Sequence, residues 1–239
     1  MRSIAAYAFL TLYTLVLGPP VLLLSWLLAS ERLIIDAGRL GTSIALALAG
    51  VRYTLAGRER MPVHRGAVYV VNHSSYMDLV SFMALYPACP RIRVLYKAEF
   101  NRVPLLGRIF RMAGCIPIER AVQDLAFQAV DRSTRALEAG TSVLAAPEGT
   151  RSRDGSLAPF KKGVFVMALR AQVPVVPVAI EGAARALPRG AWRISPGEVR
   201  VTVGEPVATQ GLIYEDRHVL IDEVRHRLAA LLPDRQAID

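Results

Sequence analysis

A histidine and an aspartate separated by four residues form the first group in the chain that could carry out acid–base chemistry. They are His73 and Asp78, within the stretch NHSSYMD at residues 72–78. An imidazole exchanges protons near neutral pH, and a carboxylate bonded to one ring nitrogen leaves the other to face a substrate hydroxyl. On one ideal helix the two side chains would point about 140° apart. The pair therefore requires His73 to precede a helix and Asp78 to lie in its first turn.

The same aspartate also has a structural interpretation. Ser75 and Asp78 have the spacing of a capping box, in which the two side chains hydrogen-bond to backbone N–H groups at a helix start. The spacing alone does not choose between a catalytic pair and a helix cap.

A second polar stretch, PEGTRS at residues 147–152, contains groups suited to an anion. Gly149 permits tight backbone geometry, and the planar guanidinium of Arg151 can bind a phosphate through two parallel hydrogen bonds. Taken alone, the stretch could equally be an ordinary turn after a strand. Lys161 and Lys162 follow at the start of a predicted helix, where an anion would offset their unfavourable interaction with the helix dipole. Two lysines that simply face solvent are the default interpretation.

The elements that must position these groups alternate along the chain beyond residue 50. Short runs of β-branched residues predict strands, and apolar residues at helical spacing predict helices between them. The strands are predicted at 67–71, 92–96, 115–118, 142–146, 173–180 and 199–203. The helices are predicted at 76–86, 122–139, 161–170 and 215–232. This alternation predicts an α/β fold, with a layered mixed sheet flanked by helices.

The first 50 residues differ in composition from the rest of the chain. No charged residue lies between Ile4 and Ser30, a run longer than the ~20 residues that cross a bilayer as a helix. Gly-Pro-Pro at residues 18–20 is expected to interrupt it, and a second uncharged stretch covers residues 40–51. We predict a membrane-anchoring helical segment at 1–50, either one kinked span or a hairpin within one leaflet, and a catalytic domain at 51–239. A cleaved signal peptide is the competing interpretation, but the run is too long for one.

Positive charge is concentrated in two windows of the sequence. The formal net charge is +9, from 29 Lys and Arg against 20 Asp and Glu. Residues 91–120 carry a net +5 and residues 151–170 a net +4, which together equal the whole excess. Such an excess implies an anionic partner: a nucleic acid, a membrane surface or a phosphorylated substrate. The two cysteines, Cys89 and Cys115, form neither a disulfide framework nor a zinc site, and no metal-ligand cluster is visible.

Taken together, these stretches resemble the glycerolipid acyltransferase family, most closely the 1-acyl-sn-glycerol-3-phosphate acyltransferases. Residues 72–78 match the family's N-H-x-x-x-x-D block and residues 147–152 its P-E-G-T-R-S block. Residues 114–120 and 173–180 match its second and fourth blocks. The resemblance covers about residues 51–203, in the family's order and spacing.

The resemblance implies an enzyme that needs no cofactor. It would transfer a fatty acyl group from an acyl thioester, either acyl-CoA or acyl carrier protein, to the sn-2 hydroxyl of 1-acyl-glycerol 3-phosphate. The product would be phosphatidic acid. The resemblance implies that His73 is the general base and Asp78 its orienting partner, and it includes Asn72 and Ser75 as further motif residues. It assigns the acceptor phosphate to Arg120, Glu148, Gly149, Thr150, Arg151 and Lys97.

The chain departs from the family pattern at Pro117, Glu119 and Ala146, where an aromatic residue, an aspartate and a phenylalanine are usual. These departures leave the head group open, so another lysophospholipid, a lyso-aminolipid or glycerol 3-phosphate is an alternative acceptor. Two other classes are a hydrolase of acyl thioesters and a membrane-anchored module that binds nucleic acid or anionic lipid. The sequence shows no nucleic-acid motif, and such a module would not need His73 and Asp78.

The apolar N-terminal region and the basic windows suit an enzyme whose lipid substrate stays in the bilayer. Arg185, Arg189, Trp192 and Arg193 form a basic and aromatic loop that could lie against anionic head groups, or could simply be exposed. We therefore expect an anionic membrane surface as a partner and no nucleic acid. The expected location is the inner membrane, with the catalytic domain on its cytoplasmic face.

Overall fold

The fold is given by a computed structural model that describes residues 1–62, 65–119, 123–152 and 155–232. Seven strands lie within these ranges and form one sheet. They are β1 (Val51–Ala56), β2 (Val68–Val71), β3 (Ile92–Lys97), β4 (Ile116–Ile118), β5 (Ser142–Ala145), β6 (Val175–Glu181) and β7 (Gly197–Val203). Their order across the sheet is β1-β7-β6-β2-β5-β3-β4.

Five adjacent strands of this sheet are parallel: β6, β2, β5, β3 and β4. β7 is antiparallel to β6, and β1 is parallel to β7. The sheet is therefore mixed, as predicted. Because the carboxyl ends of parallel strands meet at one edge, the loops that follow β6, β2, β5 and β3 lie together at that edge.

The central strands owe their position to unbroken apolar sequence. β2 (VYVV) and β5 (SVLA) are buried along their whole length. A strand covered on both faces has no solvent face, so its sequence lacks the usual alternation of polar and apolar residues. Tyr69 and Val71 belong to the hydrophobic cluster on one face of the sheet, and Val68 and Val70 belong to the cluster on the other.

Helices cover both faces of the sheet. Within the described ranges they are α1 (Arg2–Leu27), α2 (Glu31–Ala49), α3 (Leu79–Leu85), α4 (Pro104–Met112), α5 (Gln123–Glu138), α6 (Gly163–Ala171), α7 (Ala183–Ala186) and α8 (Arg217–Leu231). α1, α2, α3, α4 and α7 contribute to the cluster on one face, and α5, α6 and α8 to the cluster on the other. These three layers of helix, sheet and helix confirm the predicted α/β fold.

The predicted elements beyond residue 50 are all present, with ends shifted by a few residues. The helix predicted at 76–86 is a single 3-10 turn at Tyr76–Asp78 followed by α3. β1, α4 and α7 were not predicted. β1 alternates between buried or half-buried and exposed residues, with Arg52 at an exposed position.

The N-terminal region is a hairpin of α1 and α2. α1 continues through Pro19 and Pro20, so the predicted interruption at residues 18–20 is wrong. Contact with α2 supplies the reason. Gly41 lies so close to Tyr13 that a Cβ atom there would be 2.5 Å from the ring, and the Tyr13 hydroxyl donates to the Ala37 carbonyl at 2.8 Å. Packing of this kind stabilises a helix that local propensity does not favour.

α1 is also the one helix in the described ranges that is long and apolar enough to cross a membrane, with a mean hydropathy of 1.8. Most of its large apolar side chains are exposed, among them Leu15, Val16 and Trp26.

The hairpin and the sheet share one hydrophobic core. α2 leads directly into β1 through Gly50, whose φ of 76° ends the helix in the left-handed conformation. Ala49 and Val51 on either side are buried in one cluster with Val199 of β7. The hairpin and the sheet therefore pack against each other on either side of Gly50.

Candidate active site

Asn72, the residue after β2, continues the pairing with β6 through its side chain. Its side-chain nitrogen donates to the Ile180 carbonyl at 3.0 Å, and the Ile180 N–H donates to its side-chain oxygen at 2.7 Å. The side chain thus makes the two hydrogen bonds that a backbone residue would make in the sheet. The main chain is released from the ladder at this point, and the next residue, His73, lies outside the sheet.

The structure brings His73 and Asp78 into direct contact. His73 Nδ1 lies 2.7 Å from Asp78 Oδ2, because the 3-10 turn folds the aspartate back toward the histidine. An ionised carboxylate only accepts hydrogen bonds, so Nδ1 carries the hydrogen and Nε2 is the basic nitrogen of a neutral ring. Asp78 is 7 % exposed and His73 is 31 % exposed. The carboxylate is therefore enclosed, while the imidazole reaches the surface.

Asp78 also caps the turn. Its Oδ2 accepts from the N–H groups of Ser74 at 2.7 Å and Ser75 at 2.9 Å. The Ser75 hydroxyl in turn accepts from the Met77 N–H at 3.0 Å, which completes a capping box. The sequence left a cap and a histidine partner as alternatives, and in the structure one carboxylate makes both sets of contacts.

The carboxylate of Glu148 hydrogen-bonds to the backbone of His73. Its Oε1 accepts from the His73 N–H at 2.7 Å, and its Oε2 accepts from the Ala158 N–H at 3.0 Å. Burial raises the pKa of this carboxyl, and the two backbone hydrogen bonds oppose that rise. The resemblance assigned Glu148 to the acceptor phosphate, but the structure directs both of its oxygens at backbone N–H groups.

The loop after β5 contacts the histidine a second time. The Ser152 N–H donates to the His73 carbonyl at 2.7 Å. Residues 148 and 152 therefore hold both backbone polar groups of His73, from a loop that is 75 residues away along the chain. Spacing within each sequence block could not reveal this contact, because the blocks meet only through the pairing of β2 with β5.

Three more of the residues assigned to the phosphate, Gly149, Thr150 and Arg151, occupy the same loop. Gly149 has a φ of 74°, and the Lys161 side chain packs so closely that a Cβ atom there would be 2.9 Å from Lys161 Cε. Thr150 is exposed. The Arg151 guanidinium lies over the ring of Tyr76, with Cζ 3.7 Å from the ring centroid. Its carbonyl accepts from Arg189 Nη1 at 2.8 Å, a contact that the sequence did not indicate.

Two further residues assigned to the phosphate, Lys97 and Arg120, lie outside this loop in the sequence. Lys97 ends β3 at the same edge of the sheet, and its Nζ lies 2.7 Å from Glu99 Oε1. Its side chain is about half exposed, so it is accessible from solvent. Arg120 lies outside the described residues. No cluster of three or more metal-binding side chains occurs in the part of the chain that the structure describes.

A carboxylate-supported imidazole at the carboxyl edge of an α/β sheet is an arrangement that can exchange protons with a bound group, and Arg151 and Lys97 add positive charge at the same edge. The Acyltransferase family model matches residues 52–181, a range that includes the histidine loop and the loop after β5. The chain belongs to this family.

The chain is similar to two curated relatives and to one solved structure. The chain is 33% identical over 178 residues to the chloroplastic 1-acyl-sn-glycerol-3-phosphate acyltransferase BAT2 of Brassica napus, covering 73% of this chain and 49% of that one. It is 33% identical over 182 residues to 1-acyl-sn-glycerol-3-phosphate acyltransferase alpha of Homo sapiens, covering 76% and 64%. The match therefore spans about half to two thirds of these relatives' length.

The crystal structure of the 1-acyl-sn-glycerophosphate (LPA) acyltransferase PlsC from Thermotoga maritima resembles the whole chain. The TM-score is 0.71 at 26% sequence identity, covering 99% of this chain and 100% of that one. The similarity to this structure therefore includes the N-terminal hairpin as well as the sheet.

Proposed function

We propose that this protein is a 1-acylglycerol-3-phosphate O-acyltransferase that converts lysophosphatidic acid to phosphatidic acid. The observation that carries the proposal is the 2.7 Å contact between His73 Nδ1 and Asp78 Oδ2 at the carboxyl edge of the sheet. The named activity of the relatives and of the Thermotoga maritima enzyme supports the choice of acceptor.

In the proposed reaction His73 acts as a general base. Nε2 takes the proton from the sn-2 hydroxyl as that oxygen attacks the carbonyl carbon of the acyl thioester. The carbon–sulfur bond then breaks, and the leaving thiolate takes the proton from the imidazolium. Asp78 holds the ring in the required tautomer and stabilises its positive charge. Acyl transfer from a thioester needs no covalent intermediate on the protein.

The acceptor phosphate is assigned to basic side chains, two of which, Arg151 and Lys97, lie at the same edge of the sheet. Arg151 offers a planar fork, and Lys97, with Arg120 from the second sequence block, adds charge. Gly149 and Thr150 belong to the same loop. Glu148 takes a positioning role instead, since its two oxygens hold backbone N–H groups.

The lipid acceptor requires the site to meet a membrane. The exposed apolar side chains of α1 supply an insertion surface. Trp192, which is 60 % exposed, lies in the basic loop after α7, and Ser3 at the start of α1 hydrogen-bonds to Ile194 of that loop. We propose attachment to the cytoplasmic face of the inner membrane, through this loop and the hairpin.

The test uses the purified full-length protein in mixed micelles with lysophosphatidic acid and acyl-CoA. The assay is repeated with acyl carrier protein as donor, and His73→Ala is the matched control. We expect phosphatidic acid from the wild type and nearly none from the variant. We expect lysophosphatidic acid binding to be unchanged in the variant, because a general base acts in the transition state.

Parallel reactions with glycerol 3-phosphate, a lyso-aminolipid and other lysophospholipids test the choice of acceptor. A faster reaction with any of these would replace lysophosphatidic acid in the proposal. Release of free fatty acid with no acylated lipid would indicate a thioester hydrolase instead.

A further inference from the structure

We propose that Tyr76 is a positioning residue that holds the Arg151 guanidinium against its ring and so presents it to the acceptor phosphate. The inference rests on the proposed function and deepens it, because it names the side chain that sets the direction of the phosphate-binding group. Nothing in the sequence connects the two residues, which belong to different blocks.

The contact itself has stacking geometry. Arg151 Cζ lies 3.7 Å from the centroid of the Tyr76 ring, the separation of a guanidinium in contact with an aromatic face. Tyr76 is 62 % exposed, although it lies in a turn whose other two residues, Met77 and Asp78, are buried. The quadrupole of an aromatic ring attracts a cation that lies over its face. Core packing therefore does not account for this tyrosine.

The backbone of Arg151 is fixed independently of its side chain. Arg189 donates to its carbonyl, and the N–H of the next residue, Ser152, donates to the His73 carbonyl. With the backbone fixed, the ring of Tyr76 decides where the guanidinium lies. Arg151 Nη1 is enclosed and has no hydrogen-bond partner among the described residues. A desolvated cationic donor of this kind is stabilised when an anionic oxygen binds it.

Tyr76 and Asp78 belong to the same 3-10 turn. The turn thus contacts the imidazole through one residue and the guanidinium through another. A fixed separation between the base and the phosphate-binding group would place the acceptor hydroxyl at the base without a further search. Tyr76 acts on the substrate through Arg151.

The experiment compares Tyr76→Phe with Tyr76→Leu. Phenylalanine keeps the ring face, while leucine keeps an apolar side chain and removes that face. Binding of lysophosphatidic acid is measured by calorimetry without acyl donor, and steady-state kinetics are measured with both substrates. We expect Tyr76→Leu to weaken acceptor binding and raise the acceptor KM about 2-fold to 30-fold, and Tyr76→Phe to change neither by more than about 2-fold. The donor KM and the unfolding temperature should not change in either variant.

A double-mutant cycle tests whether Tyr76 acts through Arg151. In the Arg151→Ala background the ring has no cation to hold, so Tyr76→Leu should change the acceptor KM by less than about 2-fold. An undiminished effect in that background would overturn the proposal and indicate direct contact of Tyr76 with the lipid. Equal effects of Phe and Leu would overturn it as well, because the ring face would then not matter.

The two proposals fail in different ways. A wild-type protein that binds lysophosphatidic acid but forms no phosphatidic acid would refute the proposed function, while the binding series would still decide the role of Tyr76. A wild-type protein that does not bind this lipid refutes both.

Discussion

The carboxylate of Asp78 links folding and chemistry within one residue. The oxygen that contacts the His73 imidazole also accepts hydrogen bonds from the backbone N–H groups of Ser74 and Ser75. These hydrogen bonds fix the position of the carboxylate without help from the imidazole. The proposed base is therefore oriented by a group that would be ordered even without it.

Substitution of Asp78 by asparagine should therefore lower both activity and stability. The amide cannot stabilise the imidazolium, so we expect kcat to fall about 10²-fold to 10⁴-fold. We also expect the free energy of unfolding to fall by about 0.5–2 kcal/mol, because a neutral amide oxygen accepts the Ser74 and Ser75 N–H groups more weakly than a carboxylate does.

Ser75→Ala is the control for that variant, since it removes a capping hydroxyl that does not contact His73. It should lower stability by a similar amount and leave most of kcat. The measurements are thermal unfolding and steady-state turnover. Equal losses of kcat in the two variants would mean that Asp78 acts only as a cap.

Glu148→Gln separates a positioning role from phosphate binding. Glutamine keeps one acceptor but turns its NH₂ group toward a backbone N–H, so we expect a loss of about 1–3 kcal/mol in unfolding free energy. Displacement of His73 should lower kcat, with little change in the acceptor KM. Steady-state kinetics at saturating donor check this. A raised acceptor KM with normal kcat would return Glu148 to the phosphate site.

The raised pKa of Glu148 also predicts the sign of a pH effect on stability. The folded protein binds a proton at this site at higher pH than the unfolded chain does. The contribution of this carboxyl to unfolding free energy should therefore decline as the pH rises from the ordinary pKa of glutamate to the raised one, then level off. Denaturant titrations of wild type and Glu148→Gln across this range measure the difference, and a rising difference would contradict the prediction.

At the scale of elements, local sequence explains the strands better than the N-terminal helices. β2 and β5 were predictable because burial on both faces requires unbroken apolar runs. The continuity of α1 was not, because the contact that supports it through Pro19 and Pro20 comes from α2. The same limit applies to the site. The sequence indicated His73 and Asp78, which are close in the chain, but it could not indicate the contacts made by Glu148.

Two glycines of α2 provide a matched test of the hairpin. Gly41→Ala would place a methyl group about 2.5 Å from the Tyr13 ring, and we expect a loss of about 1–3 kcal/mol. Gly38→Ala meets no atom within 4 Å, so it should stabilise the helix by up to about 1 kcal/mol. Thermal unfolding in detergent measures both. Equal effects of the two variants would mean that the helices do not pack at Gly41.

At the scale of the whole molecule, the proposed membrane attachment would combine positive charge with apolar surface. Salt screens the attraction between the net charge of +9 and an anionic surface. Burial of the exposed apolar side chains of α1 in a bilayer involves no charge and is not screened. Membrane binding should therefore have one salt-sensitive part and one salt-resistant part.

Flotation with lipid vesicles measures these two parts. We expect stronger binding to vesicles with anionic lipid than to zwitterionic ones at low salt, and residual binding to both at high salt. Trp192→Ala should weaken binding, while Phe127→Ala, at an exposed aromatic residue of α5, should not. Identical binding by the two variants would remove the loop after α7 from the proposed membrane surface.

The pairing of β1 with β7 has a consequence for how the chain folds as it is made. Val51 lies opposite Gly197, so the first strand to be synthesised finds its partner only when the last strand of the sheet is complete. At about 5–20 residues per second, a ribosome separates these two events by on the order of ten seconds. During that interval α1, α2 and β1 are without the strand that completes their core. A bilayer that takes up the apolar side chains of α1 would keep this early part of the chain from aggregating until β7 arrives.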